Sequence, residues 1–134
     1  MDRYNVVIIG GGPAGLTAGL YTARAGLSSL LLEKGIFGGQ MADATLQNYP
    51  GFPDGISGVD LGSLMQDQAS RYGLDTMFTE VTELNPGSPH IVVTANGTFE
   101  ADTVIVAGGS QYRKLDVKGE VELLGRGEIG RAHV

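Results

Sequence analysis

Apolar positions along the chain fall into short, dense runs separated by glycine-rich turns. The first run, Val6-Val7-Ile8-Ile9, follows Tyr4-Asn5 and is β-branched throughout. A continuous apolar run, unlike an alternating one, suits a strand covered on both faces, as in a parallel sheet. Gly10, Gly11 and Gly12 end it, and Pro13 suits the first turn of a helix, where its missing N–H costs nothing. Leu16, Leu20 and Ala23 recur at helical spacing, and Gly26 is placed as a C-terminal stop. Ser29-Leu30-Leu31-Leu32-Glu33 is a second buried run, so this stretch predicts a βαβ unit.

Residues 34–58 are rich in Gly, Pro and Asn and read as an extended loop. Structureless loops of this length are uncommon inside a domain and are often functional. A helix is expected from about Val59 to Tyr72, with Leu61, Leu64, Met65, Ala69 and Tyr72 on one face and Gly73 at its end. Residues 75–78 form a candidate third sheet strand. Residues 81–84, 91–95 and 98–101 are short strand-like runs, and Asn96-Gly97 is a hairpin signal because both residues tolerate positive φ. Thr103 to Ala107 then returns as a buried strand, ended by Gly108-Gly109. The expected fold class is α/β: a Rossmann-like parallel sheet with helices, plus a small antiparallel β-meander.

Composition narrows the function classes. The 134 residues suffice for one domain with a sizeable core. Glycine is abundant, at 22 residues, which suits a fold with many tight turns and close backbone approaches. The formal net charge is −6 and the basic residues form no stripe, so nucleic acid is not an expected partner. The apolar runs are too short to span a bilayer. Met1-Asp2-Arg3 leads straight into a strand with no signal-like segment, so a cytoplasmic location is the default. There is no cysteine, and the two histidines, His90 and His133, lie far apart, so no metal site is expected.

The candidate chemistry lies in Gly10-x-Gly12-x-x-Gly15, between a predicted strand and a predicted helix. Gly10 permits a tight turn, Gly12 lets a pyrophosphate approach the backbone, and Gly15 lets helix and strand pack closely. The helix N-terminus favours an anion. Glu33 ends the next strand at the spacing of a ribose-binding carboxylate, and it would repel a 2′-phosphate. Together these residues predict dinucleotide binding. They do not separate FAD from NAD.

The remaining motifs resemble those of bacterial-type thioredoxin reductases, the class II pyridine nucleotide-disulfide oxidoreductases. The matching segments are residues 6–18, Leu32-Glu33-Lys34, Gly38-Gly39-Gln40-Met41, Asn48-Tyr49-Pro50-Gly51-Phe52-Pro53, Ile56-Ser57-Gly58, Gln68-Ala69, residues 104–107 and Tyr112-Arg113-Lys114-Leu115. The Gly-Gly-Gln and Asn-Tyr-Pro-Gly-Phe pair is far more specific than the glycine fingerprint. The resemblance implies FAD bound along this surface. Gly12, Pro13 and Ala14 would meet the pyrophosphate, with Gly10 and Gly15 shaping the turn. Glu33 would hold the adenosine ribose, with Lys34 beside it. Gly39, Gln40 and Asn48 would approach the flavin end, and Gly38 before them would also belong to the cofactor site. Val81 would lie by the adenine through its backbone, and Ala107 and Gly109 would pass near the cofactor. Gln40 and Asn48 each offer a donor and an acceptor, which suits a flavin edge, although such residues also serve to tie down loops. Solvated charges are the plainer reading of Arg113 and Lys114, and packing that of Met41, Met65 and Met77.

The resemblance further implies a parent that is a homodimeric disulfide reductase carrying electrons from NADPH through FAD to a thioredoxin-like protein. Its Cys-x-x-Cys pair and NADPH domain are absent here, so no catalytic residue is assigned and the chain alone is expected to be inactive. Alternatives are a ferredoxin- or flavodoxin-NADP reductase of the same plan, or a stand-alone nucleotide-binding module without redox activity. The chain departs from the family pattern at Ala107-Gly108-Gly109, where Ala-Thr-Gly is usual, and at Val117-Lys118-Gly119-Glu120, where Val-Pro-Gly-Glu is usual. Residues 1–127 therefore read as the N-terminal part of an FAD-binding domain. Residues 128–134, Glu-Ile-Gly-Arg-Ala-His-Val, read as a non-native tail, because they back-translate to the start of a common sequencing adapter. Sequencing the source DNA past the Gly127 codon checks this: the frame is expected to continue into a Cys-x-x-Cys segment, and a genuine stop after Val134 would favour the stand-alone module.

Overall fold

The computed structural model describes residues 1–111, 113–114 and 116–123. The expected tail and the positions Tyr112 and Leu115 lie outside the described residues. The first strand, β1 (Asp2–Ile9), leads through the glycine turn into α1 (Pro13–Arg24) and then β2 (Ser29–Glu33). A 3₁₀ turn (Gly39–Asp43) and two short strands, β3 (Thr45–Leu46) and β4 (Ile56–Ser57), precede α2 (Gly58–Ser70). The chain continues through β5 (Asp75–Phe78), β6 (Val81–Asn85), β7 (His90–Thr94) and β8 (Gly97–Val106).

Among the described residues, six strands form one sheet in the order β5-β2-β1-β8-β7-β6. The pairings β5·β2, β2·β1 and β1·β8 are parallel, while β8·β7 and β7·β6 are antiparallel. The meander is thus an extension of the main sheet. The two runs read separately at 98–101 and 103–107 are one strand, β8. Its first half pairs with β7, up to His90 opposite Ala101, and its length pairs with β1. The Asp102 charge between the runs looks like a break in sequence. In the structure it is an exposed, hydrogen-bonded station on a continuous strand.

Two apolar clusters hold the sheet. Val6, Ile8 and Leu31 pack with Leu16 and Ala23 of α1, Ala69 of α2, Phe37 and Leu74. On the other face Val7, Leu30 and Leu32 pack with Val92, Phe99 and Ala101 of the meander. The β1 run therefore contributes to both clusters, as its unbroken hydrophobicity required. Both β1 and β8 switch side-chain parity midway: Tyr4 and Val7 share a cluster, as do Ala101 and Val104. The switch falls at Asn5 and Asp102, where Asn5 Nδ2 donates to Asp102 Oδ2 at 3.1 Å and Arg3 donates to Asp102 Oδ1 at 2.6 Å.

Helix ends follow local chemistry. Ser57 caps α2 by accepting from the Asp60 N–H at 3.1 Å. Both helices stop in the same paired bonds. Gly26 N–H reaches Ala23 O at 2.9 Å and Leu27 N–H reaches Thr22 O at 3.1 Å; Gly73 N–H and Leu74 N–H do likewise with Ser70 O and Ala69 O. Gly26 and Gly73 take φ of +79° and +96° there, a conformation that glycine adopts without strain. Within the expected apolar face of α2, Leu61 and Ala69 are buried, but Leu64 and Tyr72 are about half exposed. The long loop is not structureless, since β3 pairs with β4 across it. The β7–β8 turn is Ala95-Asn96, one residue earlier than expected. Gly97 already belongs to β8 and alone carries a positive φ, +139°.

Leu16→Ala is expected to lower stability by about 2–5 kcal/mol, measured by urea unfolding, because Leu16 is 1 % exposed at the centre of the helix-side cluster. Hydrogen bonds from Arg3 and Asn5 hold the Asp102 carboxyl below its ordinary pKa. A depressed folded-state pKa contributes stability that is present above the unfolded value and lost as pH falls through the folded one. The urea midpoint of Asp102→Asn is therefore expected to lie below that of the parent chain at neutral pH, with the gap closing below about pH 4.

Candidate functional site

The parallel strands β1, β2, β5 and β8 all run the same way, so their C-terminal ends share one edge of the sheet. The chain leaves β1 outward to β2 and β5, then returns to β8 on the other side of β1. Ligands of open α/β sheets bind at such a reversal, outside the carboxyl ends of the strands. A groove of about 910 Å³ lies there. Its walls are residues 9–14 after β1, 32–34 at the end of β2, Gly39-Gln40-Met41, Thr79-Glu80-Val81 after β5, and 107–111 after β8.

The glycines of the first turn divide by what surrounds them. A Cβ on Gly10 would stand 2.1 Å from Ala107 O, and one on Gly15 would stand 1.8 Å from Gly10 O. A Cβ on Gly11 would collide with Glu33 and Phe37 side chains at 2.8 Å. These three positions are closed by the protein itself. Gly12 differs: its φ of −75° suits any residue, and the nearest atom to an added Cβ is 3.8 Å away. Packing and backbone conformation leave Gly12 free to be alanine, yet it faces the groove. Gly108 likewise faces the groove with nothing within 4 Å.

Electrostatics favour an anion at the same place. Gly12 is the N-cap of α1 and offers no side chain to the first-turn N–H groups, and no acidic residue lies in that turn. In α2, by contrast, Ser57 and Asp60 both serve that end. The α1 N-terminus thus presents first-turn N–H groups that no side chain caps, with their partial positive charge, to the groove.

Glu33 is held from both sides. Its Oε2 accepts the Gly11 N–H at 2.6 Å and its Oε1 accepts the Gly35 N–H at 2.9 Å. A carboxylate has about four acceptor positions, so capacity remains for two hydroxyls. Thr79 N–H donates to Glu33 O at 2.9 Å, which sets the end of β5 beside it. On the opposite side the Gln40 side-chain amide donates to the Ser110 carbonyl, joining the 3₁₀ turn to the segment after β8. Gly39 reaches this position through a φ of +60°, with its Cα region close against Gly12.

Of the residues singled out in sequence, Gly10, Gly12, Pro13, Ala14, Glu33, Lys34, Gly39, Gln40, Val81, Ala107 and Gly109 line the groove. Gly15 and Gly38 are buried behind it. Asn48 lies in the exposed segment between β3 and β4, outside the groove lining. Ile9, Gly11, Leu32, Gly108 and Met41, the last read from sequence as packing, also line the groove beside the expected residues, and further along the chain sequence reasoning missed Thr79, Glu80, Ser110 and Gln111. The rule that ligands lie beyond strand carboxyl ends, applied to β5 and β8, would have found all four.

The chain matches the family model described as pyridine nucleotide-disulphide oxidoreductase over residues 4–132. It is 45% identical over 126 residues to the thioredoxin reductase of Bacillus subtilis, covering 92% of this chain and 40% of that protein. Against the thioredoxin reductase of Listeria monocytogenes the identity is 46% over 126 residues, covering 92% of this chain and 39% of that one. The fold superposes on the crystal structure of Lactococcus lactis thioredoxin reductase with a TM-score of 0.81 at 40% identity, over 92% of this chain and 41% of that chain. The chain thus spans about 40% of the length of the relatives it matches.

Gly12→Ala is expected to leave the unfolding free energy from urea titration within about 0.5 kcal/mol of the parent, whereas Gly15→Ala is expected to prevent normal folding, because only the second places an atom inside a neighbouring carbonyl. Equal loss of stability in both variants would contradict the division of the glycines made above.

Proposed function

The chain belongs to the pyridine nucleotide-disulphide oxidoreductase family, and from that premise we propose that it is the FAD-binding part of a thioredoxin-reductase-like flavoprotein. The observation that carries this reading is Gly12, a glycine that neither its φ nor its neighbours require, set at an uncapped helix N-terminus in a groove. A group that needs the closest backbone approach explains it, and a pyrophosphate is such a group.

In this reading the N–H groups of the α1 first turn hold the pyrophosphate, and Pro13 contributes no competing donor. Glu33, already oriented by the Gly11 and Gly35 N–H groups, accepts the adenosine ribose hydroxyls. The Thr79–Val81 segment borders the adenine. Gly39 and Gln40 on one side, and Ala107 to Gly109 on the other, border the flavin end. FAD, when bound, supplies a two-electron carrier that accepts and gives hydride. The residues of this chain bind and orient it. The longer protein would pass electrons from NADPH through that flavin to a thioredoxin-type disulfide, a step that needs a dithiol. The chain contains no cysteine, so the dithiol lies outside it.

Titration of the purified chain with FAD, FMN and NAD, followed by flavin fluorescence and calorimetry, tests the proposal. FAD is expected to bind more tightly than FMN, because in this reading Glu33 and the α1 first turn would serve its adenosine and pyrophosphate, and more tightly than NAD. Glu33→Gln is expected to weaken FAD binding by about tenfold, near 1.4 kcal/mol, through loss of a charged acceptor. Gly12→Ala should weaken FAD binding at least as much while leaving the fold intact. Tighter binding of NAD than of FAD would overturn the flavin assignment.

A further inference from the structure

Asn96 is the asparagine of this chain that precedes a glycine; Asn5, Asn48 and Asn85 precede Val6, Tyr49 and Pro86. It sits exposed in the turn between β7 and β8. Its N–H donates to Thr94 Oγ1 at 3.1 Å, and its Oδ1 accepts the Thr79 hydroxyl at 2.7 Å. Thr79 is buried and lines the groove. The adjoining Ala95 N–H donates to Glu80 O at 3.1 Å, and Glu80 lines the groove too. Two hydrogen bonds therefore tie this turn to one wall of the groove.

Asn96 is also followed by the residue that least hinders attack by the backbone once the turn opens. Gly97 carries no side chain, and nothing beyond its chain neighbours lies within 4 Å of where one would begin, so no side chain at this position hinders its nitrogen once the end pair opens. The Thr79 hydroxyl, by donating to Oδ1, draws electron density from that carbon. Asparagine is among the thermally labile residues. We propose that Asn96 is a site of spontaneous deamidation, and that the change loosens the Thr79–Glu80 wall of the groove.

The Gly97 nitrogen loses its proton and forms a bond to Asn96 Cγ. The Cγ–Nδ2 bond breaks, and Nδ2 leaves as ammonia with that proton. Water then opens the cyclic imide at either carbonyl, giving an aspartyl or an isoaspartyl residue, with no oxidation or reduction. Gly97 closes the β7–β8 ladder opposite Thr94, so the attack follows fraying of that end pair, and unfolding accelerates it. The aspartyl product still accepts from Thr79 but places a negative charge near Glu80. The isoaspartyl product adds one carbon to the backbone of the turn and displaces the Ala95–Glu80 bond. The proposal does not depend on what fills the groove.

The test holds the full chain at about pH 8 and follows intact mass, peptide maps and amide hydrogen exchange. The expected result is a gain of about one dalton, confined to the peptide containing Asn96-Gly97, with isoaspartate present. The gain should be faster in urea and absent at this peptide in Asn96→Gln. Faster exchange at the Ala95 and Thr79 amides should accompany it, and Asn96→Asp should show the effect of the charge alone. A constant mass, or a gain confined to Asn5, Asn48 or a glutamine, overturns the proposal. A gain at Asn96 that leaves exchange at Ala95 and Thr79 unchanged overturns the coupling to the groove, whether or not Asn96→Gln folds.

Discussion

Three backbone segments meet closely at Gly10, and the placement of α1, the sheet edge and the groove follows from that meeting. The end of β1 is bonded on both sides, with Gly10 N–H on Leu32 O at 2.9 Å and Ala107 N–H on Ile9 O at 2.8 Å. Gly10 then turns with a φ of +113°, its Cα face against the Ala107 carbonyl and its own carbonyl under Gly15 of α1. No side chain fits at either glycine. The approach brings the N-terminus of α1 to the carboxyl edge of the sheet and leaves Gly12 at the mouth of the groove. Had Gly10 or Gly15 carried a methyl group, the helix would stand off the sheet and its N–H groups would point elsewhere.

A second layer of contacts fixes what that turn can meet. Glu33 bonds backwards to Gly11 and forwards to Gly35, so one carboxylate sets the glycine turn against the loop after β2. Phe37 fills the remaining space beside Gly11 and meets Phe78 at 4.8 Å between ring centroids, the rings tilted by 58°. Gly38 N–H closes the set on Gly11 O at 2.9 Å. The negative charge of Glu33 and the positive end of α1 then occupy neighbouring positions, which suits a ligand whose hydroxyls and phosphates are adjacent. Further out, α2 anchors the loop: a Cβ on Gly58 would overlap Met41 O at 1.5 Å, and one on Gly62 would stand 2.6 Å from Phe37 O. A glycine in a helix interior, as at Gly62, weakens the helix locally, and here that cost is offset by close packing of the loop that borders the groove.

Much of this was legible in the chain because it rests on local rules. The Val6–Ile9 and Leu30–Leu32 runs, Pro13 at the helix start, and Gly26 and Gly73 past the helix ends are each read from a few neighbouring residues. The parts that were not legible depend on partners far along the chain. Asp102 looks like a break between two strands because its partners, Arg3 and Asn5, are about a hundred residues away. Leu64 and Tyr72 share a helical period with Leu61 and Ala69, but α1 and the sheet cover only part of that arc. The Asn-Gly pair marks a turn correctly, while the register of β7 against β8, set by burial of Val92 and Phe99, decides which residues form it.

The βαβ unit, the glycine turn, the acid at the end of the second strand and the family likeness can all be read from the chain, because each is written in contiguous residues with a fixed spacing. Contacts between distant segments make the meander continue the main sheet, bring Thr79, Glu80, Ser110 and Gln111 to the groove, and set which glycines are closed by packing and which stand open. Gly11 and Gly12 are neighbours of identical chemistry, and no local rule separates them. What separates them is that Glu33 and Phe37 come against one, while open groove lies against the other.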